Sequence, residues 1–229
     1  GSLGGETAGR NICQLMEAGS RAVRAIFPET LVAVHFTNPE NADTMRFYAK
    51  TLDDFRLDYD VFATSYYPYW HGTLENLAAV LSQIAEAYGK KVMVAETSYA
   101  YTPEDTDFFG NTIGEGGSYA KPYPLTVQGQ ADAVADVVRT MAEDTTNGIG
   151  VFYWEGAWIS AGGGSRAENS RTWEQYGSGW ASSYAASYDP EDAGKYYGGS
   201  AVDNQAFFDS TGRALESLKV FSLLRTGTH

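Results

Sequence analysis

Cysteine is almost absent: Cys13 is the only one in 229 residues, so no disulfide can form within the chain and no cysteine cage can hold a metal. Histidine is nearly as scarce, and His35, His71 and His229 are scattered without the spacing of a zinc site. Positive charge is short as well. Sixteen Lys and Arg stand against 29 Asp and Glu, a net charge of −13. That balance argues against nucleic acid or an anionic membrane surface as partner and favours a neutral ligand. No stretch approaches the roughly 18 consecutive apolar residues of a membrane-spanning helix. No glycine-rich phosphate fingerprint follows any strand, which makes a nucleotide-binding doubly wound fold the weaker reading.

What is present is a chain with 43% hydrophobic residues, enough for one large domain or two small ones. Aromatics make up 14%, and many Tyr and Trp fall in glycine-rich polar stretches. Stacking against sugar faces would explain them, and so would long loops folded over their own aromatics. The neighbours Ile12, Leu15 and Met16 suggest that Cys13 is buried. The chain opens on Gly1-Ser2-Leu3-Gly4-Gly5 ahead of any strand, the start expected of a processed product or a fragment.

Periodicity organises the rest. Asn11 to Phe27 has the apolar spacing of a helix, with Ile12, Leu15, Met16, Gly19, Val23 and Ile26 on one face. Strands are expected at Thr30 to Phe36, Tyr59 to Ser65, Val92 to Ala95 and Ile149 to Trp154. Helices are expected at Asn41 to Phe55, Thr73 to Tyr88 with Thr73 as N-cap, Leu125 to Glu143 and Leu215 to Leu224. Two long segments, about 97–124 and 157–199, lack helical periodicity. Helix followed by four strand–helix units implies parallel β-structure with right-handed crossovers. Four units make half of an eight-stranded barrel, with two open strand edges.

The most informative segment is Val92-Met93-Val94-Ala95-Glu96-Thr97-Ser98-Tyr99. An apolar strand leads to one carboxylate and then to a polar, aromatic loop. Barrel enzymes keep their chemistry at the C-terminal ends of strands, although a carboxylate there can equally cap or pair with a neighbour. The other strand ends carry His35, the run Ser65 to His71, and Trp154-Glu155, so one rim collects polar and aromatic groups suited to a pyranose. His35 can be read as a hydrogen-bonded core histidine or as a site residue; His71 carries no comparable signal. In the loop after Glu96, Asp105, Asp107 and Asn111 offer oxygens of the type Ca²⁺ uses, or form a solvated acidic loop.

Several motifs in order resemble glycoside hydrolase family 53, the endo-β-1,4-galactanases. They are Ala63 to Gly72 (ATSYYPYWHG), Val94 to Tyr99 (VAETSY), Gly148 to Glu155 (GIGVFYWE), Tyr176 to Trp180 (YGSGW) and Tyr188 to Lys195 (YDPEDAGK). The resemblance runs nearly end to end. It implies a (β/α)8 barrel, here its C-terminal half: strands five to eight with their helices, a single partial domain over 1–229 beginning after strand four. It implies retaining hydrolysis of β-1,4-galactan, the side chain of type I arabinogalactan in pectin, by an extracellular or cell-surface enzyme. Glu96 would be the nucleophile, kept ionised by hydrogen-bond donors such as Tyr66. Trp154 would floor the subsite of the attacked sugar, His35 and Tyr66 would line it, and Trp70 would extend the sugar platform. A structural Ca²⁺ would take Asp105, Asp107, the Phe109 carbonyl, Asn111, Ser200 and Asp203, with Phe109 standing where relatives can place a histidine.

One departure stands out. In the family the resemblance implies an acid/base Glu after Asn at the end of the fourth strand, and this chain is expected to begin just after that point. Glu6, with no strand before it and no Asn beside it, is expected in a loop. Two functional readings follow: the nucleophile-bearing half of a galactanase, inactive by itself, or a non-catalytic half-barrel that binds carbohydrate or pairs into a homodimer across its open edges.

Overall fold

The computed structural model describes residues 6–176, 183–191, 194 and 198–227. The chain divides into two units, Gly1–Thr97 with Asp136–Tyr153, and Ser98–Ala135 with Trp154–His229. The first unit begins with helix α1 (Glu6–Ile26), followed by β1 (Ala33–Phe36), α2 (Ala42–Asp54), β2 (Val61–Ser65), α3 (Leu74–Tyr88) and β3 (Lys91–Thr97). After the long loop come α4 (Val127–Arg139), a π-helical turn (Thr140–Asp144) and β4 (Gly148–Tyr153). The strands form one parallel sheet in the order β1-β2-β3-β4. This is the parallel α/β architecture that the alternation of elements predicts.

Local chemistry sets the element ends. The Asn41 side chain accepts from Thr44 N at 3.2 Å to cap α2, and the Thr73 hydroxyl accepts from Asn76 N at 3.2 Å to cap α3. Helix α3 ends at Gly89, whose φ of 64° is the left-handed conformation that glycine adopts without steric cost. At the start of β4 a Cβ on Gly148 would stand 2.0 Å from the Met141 carbonyl oxygen, so only glycine fits between the π-turn and the strand.

One face of the sheet, through Phe62, Val92 and Val94, packs on Leu52, Leu77, Leu81 and Ile84 of the helices. Each such side chain, fully buried, contributes roughly 1.5–3 kcal/mol before entropy is counted. Cys13 is buried in this core as expected, and burial pushes its thiol pKa up. On the opposite face Val61, Ala63 and Met93 form a smaller cluster with Ala95. Among the described residues β1 and β4 are the edge strands, and β4 leaves Ile149 and Phe152 45% and 66% exposed.

Three expectations need correction. Glu6 lies in helix α1, not in a loop. The buried face of α1 runs through Gly9, Cys13 and Ser20, with Ile12 and Met16 of the expected face packed against the core, whereas Leu15 and Ile26 are 74% and 69% exposed. The helix approaches α2 at a glycine, where a Cβ would meet Thr51 Cγ2 at 3.1 Å. The segment 157–199, expected without helices, holds α5 (Arg166–Tyr176) and α6 (Ser183–Tyr188). Both are short and polar, with Asn169, Trp173 and Ala185 as their buried residues, too few to set a period. The chain's last described helix is α7 (Val220–Thr226), preceded by a 3₁₀ turn at Glu216–Lys219.

The second unit is organised around polar side chains. Gln130 is fully buried; its amide nitrogen donates to the carbonyls of Tyr99, Gln205 and Ala206 at 2.9, 3.2 and 3.0 Å, and its oxygen accepts from the Ser217 hydroxyl at 2.5 Å. Asn204 donates to the carbonyls of Thr102 and Ile113, each at 2.8 Å. Long irregular backbone can be buried here because side-chain amides satisfy its carbonyls.

Candidate active site

At the C-terminal rim of the first unit's sheet, a shift in strand register decides where Glu96 points. Thr64 pairs with Val94, but Ser65 pairs with Glu96, so β3 inserts Ala95 as an extra residue. Side chains alternate along a strand, and in even register Ser65 would face Ala95 while Glu96 pointed to the other side. The bulge brings Glu96 onto the face of Ser65 instead. Beyond it, Tyr66 N donates to the Glu96 carbonyl at 2.8 Å and closes the ladder.

The Glu96 carboxylate, about 31% exposed, has its two oxygens in different environments. Oε2 accepts from the Ser65 hydroxyl at 3.0 Å and from the Tyr67 hydroxyl at 3.2 Å. Because Ser65 spends its single hydroxyl proton on Glu96, it accepts from His35 Nε2 at 2.9 Å, making a relay His35 to Ser65 to Glu96. Oε1 faces His35 Nδ1 at 4.0 Å.

These groups lie on the wall of a cavity of about 820 Å³, lined also by Phe36, Tyr48, Trp70, His71 and Glu40. Trp70 is 46% exposed and is braced edge-on by Tyr67, with ring centroids 6.0 Å apart. Glu40 is the other carboxylate among the described lining residues; it is exposed and accepts from Asn38 Nδ2 at 3.1 Å.

Of the residues expected in this site, Glu96, His35 and Trp70 are brought together. Tyr66 is not. Its ring is buried in the helix-facing core and its hydroxyl donates to the Gly72 carbonyl at 3.0 Å, while burial raises its pKa to about 12. The donor expected of Tyr66 is supplied by Tyr67. Strand alternation carried that signal, since Val61, Ala63, Ser65 and Tyr67 share a parity. Ser65 and His71 were missed as well. Trp154 belongs to the second unit and is 37% exposed.

The expected calcium ligands all lie in the second unit. Asp105 Oδ1 accepts from Asn111 N at 2.6 Å, and Asp107 accepts from Phe109 N at 2.8 Å and Ser200 N at 3.1 Å. Asp203 Oδ2 accepts from the Thr106 hydroxyl at 3.1 Å. Burial and the charge of Asp107 push the Asp203 carboxyl up to about 6, and burial raises Asp107 too. Two buried oxygens there, Asp203 Oδ1 and Asn111 Oδ1, carry no hydrogen bond. Orphaned acceptors beside mutually repelling carboxylates fit a hard cation. Among the described residues no three His, Cys, Asp or Glu side chains could hold a metal by themselves, so an ion would also draw on amide, hydroxyl and backbone oxygens. Of the motifs at 176–180 and 188–195, residues 177–180, 192, 193 and 195 lie outside the described residues.

Fold and site together define a parallel α/β protein with a carboxylate-centred cavity at the C-terminal ends of its strands. Residues 3–221 match the model of glycosyl hydrolase family 53, and the chain belongs to that family. It is 58% identical over 228 residues to an endo-β-1,4-galactanase of Bacillus subtilis, covering 99% of this chain and 53% of the relative. An arabinogalactan endo-β-1,4-galactanase of Cellvibrio japonicus is 32% identical over 166 residues, covering 68% and 43% respectively. The solved GH53 catalytic domain of Ignisphaera aggregans superposes with a TM-score of 0.74 at 31% identity, covering 98% of this chain and 54% of that one. The chain thus spans about half the length of these relatives.

Proposed function

We propose that this chain carries the nucleophile half of a retaining β-1,4-galactanase site on the C-terminal half of a (β/α)8 barrel. The observation that carries the reading is the Glu96 carboxylate, which lines an aromatic-walled cavity with one oxygen fixed by two hydroxyl donors. In the reaction, Glu96 Oε1 attacks the anomeric carbon of a galactosyl unit as the glycosidic C–O bond breaks. The departing oxygen takes a proton from a general acid, and water, deprotonated by the same group, then releases the sugar from Glu96. Retaining chemistry needs that second carboxyl about 5–5.5 Å from the nucleophile. Glu40, exposed and held by Asn38, lacks the secluded setting of such an acid. The partner is therefore assigned to the remaining part of the relatives' length. Trp70 supplies a sugar platform, and the family resemblance is the ground for proposing Trp154 as an aromatic floor for a sugar.

Ca²⁺ is proposed as a structural ion of the second unit, held by Asp105, Asp107, Asn111 and Asp203 with Ser200 and the Phe109 carbonyl. It would supply positive charge to a loop crossing that otherwise collects carboxylates. Action on pectin side chains places the enzyme outside the cell or at its surface.

A second reading rests on the edge strands β1 and β4 and on exposed Ile149 and Phe152. Surfaces of this kind invite a partner, either the complementary half or a second copy. The test of the main reading is reconstitution: the chain alone releases no galacto-oligosaccharides from galactan, and the chain joined to the complementary half does. Release by the chain alone, or none after joining, overturns it.

A further inference from the structure

The loop after β2 contains a buried histidine that the reaction itself does not use. His71 is 6% exposed, and its Nδ1 accepts from the backbone N–H of Tyr67 at 3.0 Å. Because Nδ1 accepts, the ring proton belongs on Nε2, and the Ser65 carbonyl is the backbone acceptor facing the ring. The loop doubles back on itself here: Tyr67 O receives the N–H groups of Trp70 and His71, both at 3.0 Å, and the Tyr67 and His71 rings meet edge-on at 5.7 Å. His71 therefore touches the backbone at the two residues, Ser65 and Tyr67, whose hydroxyls converge on Glu96 Oε2.

We propose that His71 is a positioning residue for the nucleophile: as a neutral ring protonated on Nε2, it holds Ser65 and Tyr67 in the register that aims both hydroxyls at Glu96. The proposal rests on the reading of Glu96 as nucleophile. Protonation of Nδ1 would set a donor against the Tyr67 N–H and release the clamp. The charged groups facing the ring are Glu40, from the loop after β1, and Glu96, from β3; His35 lines the same cavity. Burial outweighs the two carboxylates and the Ser65 carbonyl and keeps His71 below the usual histidine range, so the clamp holds through neutral pH.

Nitrogen-15 NMR of this chain tests the proposal without any substitution. The expected result is a proton on Nε2, with the Tyr67 amide signal following the His71 titration at a midpoint below the ordinary value of about 6.5. A proton on Nδ1, or a Tyr67 amide that ignores the titration, overturns it. In the reconstituted enzyme, His71→Phe keeps the bulk but removes the acceptor, while His71→Asn keeps an acceptor near Nδ1. His71→Phe is expected to lower kcat about 10- to 100-fold with little change in KM, the scale of a misplaced catalytic group, and His71→Asn to recover most of the loss. Equal impairment of both variants, or none in His71→Phe, overturns the role. Glu96→Gln in the same assay separates the two readings: activity there removes the nucleophile assignment, whereas its loss alongside an unimpaired His71→Phe removes only the clamp.

Discussion

At the scale of single residues, Tyr66 and Tyr67 provide a controlled comparison. Tyr67→Phe removes one of two hydroxyl donors from Glu96, the proposed nucleophile, and is expected to cost about a hundredfold in kcat. Tyr66→Phe removes only the bond to Gly72 O and is expected to cost about 1 kcal/mol of stability with kcat nearly unchanged. Steady-state kinetics and urea melts on the two variants check this, and equal kinetic losses would contradict it. Glu96 and His35 were legible in the sequence because they stand at the ends of apolar strands, and Trp70 through the motif Ala63 to Gly72. The choice between adjacent tyrosines was legible in principle from strand parity. Ser65 was legible only as a rim residue, because its contact with Glu96 depends on a bulge that two strands create between them. His71 gave no sign, since its partner is a backbone N–H.

Secondary-structure elements were more readable than their ends. Four strands and the helices between them follow from apolar periodicity and caps such as Thr73, but α5 and α6 stayed hidden in polar, aromatic sequence. The second unit depends on side-chain amides rather than on a periodic core, and Gln130 tests that directly. Gln130→Leu strips three buried carbonyls of a donor and is expected to cost about 3 kcal/mol or more, read from the urea midpoint. A loss below about 1 kcal/mol would contradict the account.

The proposed calcium site gives a pH test. Without a cation, Asp203 holds its proton up to about 6, against 3.8 for the free residue. The folded form then binds more protons than the unfolded form between those values. Stability from this group is complete below 3.8 and is lost as pH rises through about 6. In chelator the melting temperature should fall over that window, and added Ca²⁺ should restore more at about pH 7 than at about pH 5, as binding to the folded form requires. A Ca²⁺ effect equal at both pH values would contradict the assignment.

For the whole molecule, family membership and parallel α/β architecture follow from the matched residues and the sheet. The half-barrel reading adds that β1 and β4 are edges meant to be paired. Light scattering of the chain alone should therefore show association, or dye binding should show exposed apolar surface. A monomer with neither would remove the assembly reading. The central claim, that Glu96 forms the covalent bond to the sugar, is tested most directly by trapping. A 2-fluoro β-galactoside with an activated leaving group needs no general acid to depart, and its fluorine slows release of the sugar. After reaction with the reconstituted enzyme, peptide mapping should place one galactosyl adduct on Glu96 and none in Glu96→Gln. An adduct on Glu40 or any other carboxylate, or hydrolysis with inversion and no adduct, would contradict the account.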